Sequence, residues 1–343
     1  MKPGDLVERY RLVRLLGRGG MGTVWLAEHT TLGGQHALKF LDPYLLGQEH
    51  VRERFLDEGR IQSRLVHPSI ARVTDLLTDG AAGLVMDYVP GPTLGDWLEA
   101  NGPASASQAR PILAALLGAV GLAHEQGIIH RDLKPSNILM RGGKLDPVVV
   151  DFGIAKVQRD QGRGRTRTGI TMGTAGYMPP EQARDSSRAD ARSDLYALGV
   201  ILHEVLSGRP RFVGDSDLDV TIAVVHGDAQ PLPTSVDRGL AACVSKAASM
   251  MPEDRFASAN EFALALEPAV SLEARCQRLE KENRALKANL ARLQVKPKRK
   301  EPPPPPKWRE SKAPPSGDNY CPSCFVVYPP RVRCCGACGV NLW

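Results

Sequence analysis

"HRDLKPSN" occupies residues 130–137, and its reading decides what the rest of the chain is. It carries His130, Arg131, Asp132, Lys134 and Asn137, with Leu133 as its one aliphatic residue. A short polar run is ordinarily a solvated loop. Here a carboxylate, two cations and an amide fall within a few residues of one another. Cations neutralise an anion, a carboxylate accepts a proton, and a carboxamide oxygen suits a hard metal. The stretch therefore has the composition of a site that handles negative charge.

Four segments elsewhere bear on that reading. "LGRGGMGTV" (16–24) places Gly17, Gly19 and Gly22 between two strand-like runs. Without Cβ atoms, such a turn lets backbone N–H groups approach phosphate oxygens closely. It is not a Walker A loop, because no Gly-Lys-Ser/Thr follows. "HALKF" (36–40) sets Lys39 in an apolar strand, where by itself it would read as a lysine snorkelling from a sheet edge. "VVVDFGIAK" (148–156) runs a buried-type strand into Asp151, a position that suits Mg²⁺. "GTAGYMPPE" (173–181) and "SDLYALG" (193–199) follow.

The order of elements predicts an α+β chain, with a small sheet-rich lobe followed by a larger helical one. Residues 10–41 read as strands around a glycine turn, 50–65 as a helix and 83–89 as a strand. A short helix follows at "TLGDWLEA". Residues 107–127 read as a long apolar helix stopped at Gly127, and 190–267 as mostly helical.

Glycine loop, Lys39, Glu58, HRDLKPSN, DFG and a PPE triplet occur in one order and spacing. In this the sequence resembles the eukaryotic-like Ser/Thr protein kinases of bacteria across residues 8–267. The resemblance implies a bilobal kinase fold, with ATP and two Mg²⁺ ions as cofactors and proteins as substrates. It implies that Gly17, Gly19 and Gly22 cover the phosphates, and that Lys39 pairs with them while held by Glu58. Glu58 is preferred to Glu49 and Glu53 because it lies nine residues before His67 of "HPS". Asn137 and Asp151 would hold the metals, Asp132 the substrate hydroxyl proton, and Lys134 the transferring phosphoryl group. Adenine would rest among Val24, Ala37 and Leu139, bonded to the backbone of Asp87 and Val89 beside the gatekeeper Met86. Thr174 would shape the substrate groove, Glu181 would pair with Arg255, and Asp194 would brace the catalytic loop. Arg131 would meet a phosphate on the loop between Asp151 and Glu181, at Thr166, Thr168 or Thr171. The alternative for that loop is that Arg163, Arg165 and Arg167 only solvate it. Ala175, Pro179 and Asp87 depart from the family's usual residues without removing a catalytic group.

The 343 residues are too many for one small core. No run of 18 apolar residues appears, and "MKPGDLVERYRL" lacks an apolar signal core, so a cytoplasmic protein without a membrane span is expected. The formal charge of +6 is uneven. Residues 271–343 hold 15 Lys and Arg against 6 Asp and Glu, whereas residues 1–270 hold 29 against 32. The basic character belongs to the tail.

That tail divides into three. In 271–294, Leu272, Leu279, Leu286 and Leu293 recur every seven residues. With these at d, Cys276, Asn283 and Leu290 fall at a, and Asn283 favours a parallel two-stranded coil. A homodimer through 272–293 is expected; the alternative is a solvated helix. Residues 295–319 form a Pro- and Lys-rich linker. Residues 320–343 carry "CPSC" (321–324) and "CGAC" (335–338), which resemble a zinc ribbon. Cys321, Cys324, Cys335 and Cys338 would hold one structural Zn²⁺, with Cys334 spare or exchangeable with Cys335. The ribbon is expected to dock a protein, with nucleic acid as the alternative. Rival readings of the whole chain are a pseudokinase scaffold, opposed by the intact Lys39, Asp132, Asn137 and Asp151, and a kinase carried to nucleic acid by its tail.

Overall fold

The computed structural model describes residues 1–267, apart from Met21, Gly80, 152–174, Ser186 and Ser187, together with short pieces of the tail. The chain forms two units, Met1–Leu272 and Glu273–Trp343, each treated separately.

The first lobe of unit 1 is a six-stranded antiparallel sheet. Its strands are β1 (Leu6–Val7), β2 (Tyr10–Gly19), β3 (Gly22–His29), β4 (Gln35–Leu41), β5 (Val73–Leu77) and β6 (Gly83–Asp87), in the order β1-β2-β3-β4-β6-β5. Side chains alternate across a strand, so β4 sends Leu38 and Phe40 one way and Ala37, Lys39 and Leu41 the other. Leu38 and Phe40 join Tyr10, Leu12, Trp25 and Val85 in one apolar cluster. On the second face Leu41 packs with Phe55 and Leu56 of α2 (Glu49–Gln62) and with Leu84 of β6. Lys39 therefore projects toward the helix-covered face. A short α1 (Pro43–Leu46) leads into α2.

The second lobe holds α3 (Leu94–Asn101), α4 (Ala106–Glu125), α5 (Pro180–Arg184), α6 (Ala191–Ser207), α7 (Asp217–His226), α8 (Arg238–Ala247) and α9 (Ala259–Leu266). α3 starts with a capping box, in which Thr93 and Asp96 satisfy each other's backbone N–H. α4 runs to Glu125, and Gly127 beyond it adopts φ +73°, a left-handed turn that glycine takes without a Cβ penalty. By length and hydropathy α4 meets the test for a membrane span, which the sequence reading did not register. Its Ile112, Leu113, Leu116, Leu117 and Val120 are buried in the main apolar cluster with Leu198, Ile201 and Phe262. It is thus the central core helix of this lobe. A small hairpin, β7 (Ile138–Met140) with β8 (Pro147–Val149), lies just after residues 130–137.

In unit 2, the described residues between Glu280 and Lys287 are helical, with Asn283 and Leu286 exposed. Strands β9 (Asn319–Tyr320) and β10 (Val327–Tyr328) pair antiparallel, Tyr320 opposite Val327. Cys321 and Cys324 fall in the connection between them by sequence. All the tail cysteines lie outside the described residues, as do Leu272, Leu279 and Leu293.

Candidate active site

The catalytic loop hangs on one buried carboxylate. Asp194, near the start of α6, is 1% exposed. It accepts from the backbone N–H of His130 and of Arg131, both at 2.8 Å, and shares a 2.7 Å bond with His124 Nε2. Those bonds hold Arg131 at φ +63°, a left-handed conformation uncommon for a residue with a side chain. His130 is fully buried, and burial pushes its pKa down. One neutral tautomer serves both of its contacts: Nδ1 accepts from Asp132 N–H at 3.3 Å while Nε2–H faces Val150 O at 3.4 Å.

This frame presents the polar side chains of the loop together. Asn137 Nδ2 donates to Asp132 O at 2.9 Å and to Asp132 Oδ2 at 3.3 Å. The amide hydrogens are thereby turned to Asp132. Lys134 Nζ lies 3.6 Å from Asp132 Oδ2. Loop and hairpin are tied together where Val150 N–H donates to Asn137 O at 2.9 Å.

Asp151 follows at φ +57°, a second left-handed residue with a side chain. Its Oδ1 meets Lys39 Nζ at 2.9 Å. Burial opposes charge on both groups, but each outweighs that for the other: Lys39 is held above its usual pKa and Asp151 below. Glu58 also raises Lys39, from longer range. The expectation that Glu58 holds Lys39 therefore differs from the observed geometry, in which the ammonium's ion pair among the described residues is with Asp151. Glu58 is 4% exposed on α2 and accepts from Gln62 Nε2 at 3.2 Å.

The glycine turn joins β2 to β3 over this site. A Cβ on Gly22 would come within 1.8 Å of Phe40 O, so only glycine fits there; Gly17 and Gly19 face open space. Val24 pairs with Lys39 and Ala37 with Met86 in the sheet register, and Met86 is buried. Val24, Ala37 and Leu139 are each partly exposed. Asp87 N–H is already bonded to Arg72 O at 3.0 Å. Val89 is buried just beyond.

Arg255, with its side chain fully buried, grips Glu181 through two 2.7 Å bonds. Burial works against the Glu181 charge, yet the guanidinium holds its pKa down. A cleft beside Asp132 is lined by Arg131, Tyr177, Met178, Pro179 and Gln182. Thr166, Thr168, Thr171 and Thr174 lie outside the described residues.

Three participants escaped the sequence reading. His124 supports Asp194 from α4. Tyr177 OH donates to Glu204 Oε2 at 2.5 Å under the cleft, and burial raises the Glu204 pKa. Gln62 binds Glu58. Only the last had a signal in the sequence, an amide one helical turn after the chosen carboxylate.

The family described as "Protein kinase domain" matches residues 10–263. Serine/threonine-protein kinase PknB of Mycobacterium tuberculosis is 40% identical over 270 residues, 76% of this chain and 42% of that protein. Serine/threonine-protein kinase pkn3 of Myxococcus xanthus is 39% identical over 268 residues, 74% of this chain and 48% of that one. The chain thus spans less than half the length of these curated relatives. The crystal structure of the M. tuberculosis PknI kinase domain superposes with a TM-score of 0.58 at 29% identity, covering 78% of this chain and 98% of that one. The chain belongs to the protein kinase family, with the bilobal kinase fold.

Proposed function

We propose that this chain transfers the γ-phosphate of ATP to serine and threonine hydroxyls of proteins, its own activation loop included, in bacterial-type signalling. One observation supports the reading: Asn137 and Lys134 meet Asp132, while Lys39 meets Asp151 within electrostatic range of Lys134. Phosphoryl transfer demands positioning and charge neutralisation more than covalent chemistry, and this set supplies both.

Asp132 accepts and aims the hydroxyl proton of the substrate, while Lys134 balances charge on the transferring group. Lys39 takes the nucleotide phosphates beneath the glycine turn. The donors present fit Mg²⁺, because Asp151 offers a carboxylate and Asn137 its carboxamide oxygen, both hard ligands. When bound there, Mg²⁺ neutralises the phosphate oxygens. Adenine rests against Val24, Ala37 and Leu139, with Asp87 and Val89 as hinge contacts and Met86 behind. Arg131 receives a phosphate on Thr166, Thr168 or Thr171.

The tail belongs to the same proposal. Residues 271–294 pair two chains, 295–319 space them, and 320–343 bind one structural Zn²⁺ through Cys321, Cys324, Cys335 and Cys338 and dock a protein. The β9–β10 pairing supports the ribbon, since it flanks the first cysteine pair with two strands. Exposure of Leu286 at 65% supports a seam that a second copy covers. A cytoplasmic site of action fits a kinase domain fed by ATP.

Incubation of the purified chain with Mg²⁺ and radiolabelled ATP tests the core of the proposal. Phosphothreonine should form, and Lys39→Met or Asp132→Asn should abolish it. Undiminished labelling in either variant refutes the assignment. Zinc analysis and sedimentation of the same preparation test the tail, with one Zn²⁺ per chain and a dimer expected.

A further inference from the structure

Asp132 follows a peptide plane that is held at both of its polar atoms. Arg131 sits at φ +63°, and the plane in question joins it to Asp132. From within the loop, the Asp132 N–H donates to His130 Nδ1 at 3.3 Å. From 51 residues further along the chain, Gln182 Nε2 donates to the Arg131 carbonyl at 3.1 Å. A left-handed residue with a side chain returns to the commoner backbone regions unless its surroundings hold it. Rotation of this plane would carry the Asp132 side chain with it.

Gln182 is itself a fixed point. It is half-buried on α5, and its backbone N–H donates to Pro179 O at 3.0 Å. The residue before it, Glu181, is anchored by two 2.7 Å bonds from Arg255 and one of 3.3 Å from Ser193 Oγ. The Gln182 amide extends that anchor to the catalytic loop, in the wall of the cleft that Asp132, Tyr177 and Met178 also line. Asp194 holds Arg131 at its other end, through the backbone N–H at 2.8 Å. A five-residue helix needs no polar side chain at this position. Among the described residues the amide's one hydrogen bond goes to the loop.

We propose that Gln182 is a positioning residue for Asp132: it fixes the Arg131–Asp132 peptide and so the direction in which the carboxylate meets the substrate hydroxyl. The proposal rests on the kinase reading. The effect of Gln182 passes through one peptide to Asp132, so it falls on the transfer step. Lys39 and Asp151, assigned to phosphate and metal, are joined by a separate contact. Loss of the amide therefore lowers kcat and leaves KM for ATP where it was.

The test is steady-state phosphorylation of myelin basic protein by the full chain with Mg²⁺ and ATP, in preparations matched for autophosphorylation by intact-mass spectrometry. Wild type is compared with three variants. Gln182→Met keeps the volume and loses the donor, Gln182→Glu sets an acceptor against the carbonyl, and Gln182→Lys restores a donor. The two donor-free variants should lower kcat by about ten- to hundredfold, the scale of a misplaced reacting group. KM for ATP and the affinity for a methylanthraniloyl-ATP probe should stay within about twofold of wild type. Gln182→Lys should recover kcat to within about threefold. A kcat near wild type in either donor-free variant that melts cooperatively overturns the proposal. Gln182→Lys as slow as Gln182→Met also overturns it, since that assigns the effect to packing, and so does a KM for ATP that rises as kcat falls. Wild type that transfers no phosphate overturns the kinase reading itself, an outcome distinct from these.

Discussion

The helical and sheet sides of the cleft are secured by different means. On the helical side, Asp194 takes three donors and Glu181 takes both arms of Arg255, all deep in the lobe. On the sheet side, among the described residues Lys39 has one ion pair, and Glu58 accepts an amide bond from its own helix among its contacts. Several buried bonds enforce one geometry on residues 130–137, whereas a single contact joins Lys39 to Asp151 across the fold.

The comparison breaks most readily at Arg255. Arg255→Leu leaves Glu181 as a partly buried carboxylate without its cation, and should cost about 3 kcal/mol of stability in chemical denaturation. Nucleotide affinity of the folded fraction should stay near wild type. A loss below 1 kcal/mol would mean the helical side is not held as described.

Asp194→Asn should come next. An amide oxygen cannot serve both the His130 and Arg131 N–H groups as two carboxylate oxygens do. The expected cost is about 1–3 kcal/mol for the donor left unmatched. Loop displacement should lower kcat by on the order of 10²-fold with little change in KM for ATP. A fall in KM affinity at constant kcat would place Asp194 on the sheet side of the division.

Acid should weaken the helical side in a defined window. Burial lowers the pKa of His130 and, in α6, of His203, so both are neutral in the folded protein. The unfolded chain takes up their protons first, at about pH 6.5. Their contribution is complete above that pH and is lost as pH falls toward the folded pKa values, at up to about 1.4 kcal/mol per pH unit for each group. Melting temperature between pH 8 and pH 5.5 checks this, and a flat profile contradicts it.

The smallest stability change should follow Glu58→Gln on the sheet side. An isosteric amide keeps the volume and removes a buried charge, so stability should shift within about 1 kcal/mol. KM for ATP should nonetheless rise. A loss as large as that of Arg255→Leu would erase the contrast between the two sides.

Much of this protein was legible in its sequence because the protein kinase family keeps its residue types and spacings within short segments. Residues 130–137 gather polar side chains on one loop, and the glycines at 17, 19 and 22 mark a turn in which Gly22 leaves no room for a side chain. The switch from period-two strands to apolar helices gave the lobes and their order. The Glu181–Arg255 pair followed from the resemblance, but the partner of Lys39 did not, because a cation's nearest carboxylate depends on distances across the fold. By spacing, Glu58 belonged with Lys39. The folded chain sets Lys39 on Asp151, 112 positions away, and gives Glu58 the amide of Gln62. Long-range supports such as His124 on Asp194 and Tyr177 on Glu204 arise in the same way. They are made by the packing of α4 and of residues 175–177 against α6, which brings together polar atoms that local sequence holds far apart, in an interior where buried polar groups need partners.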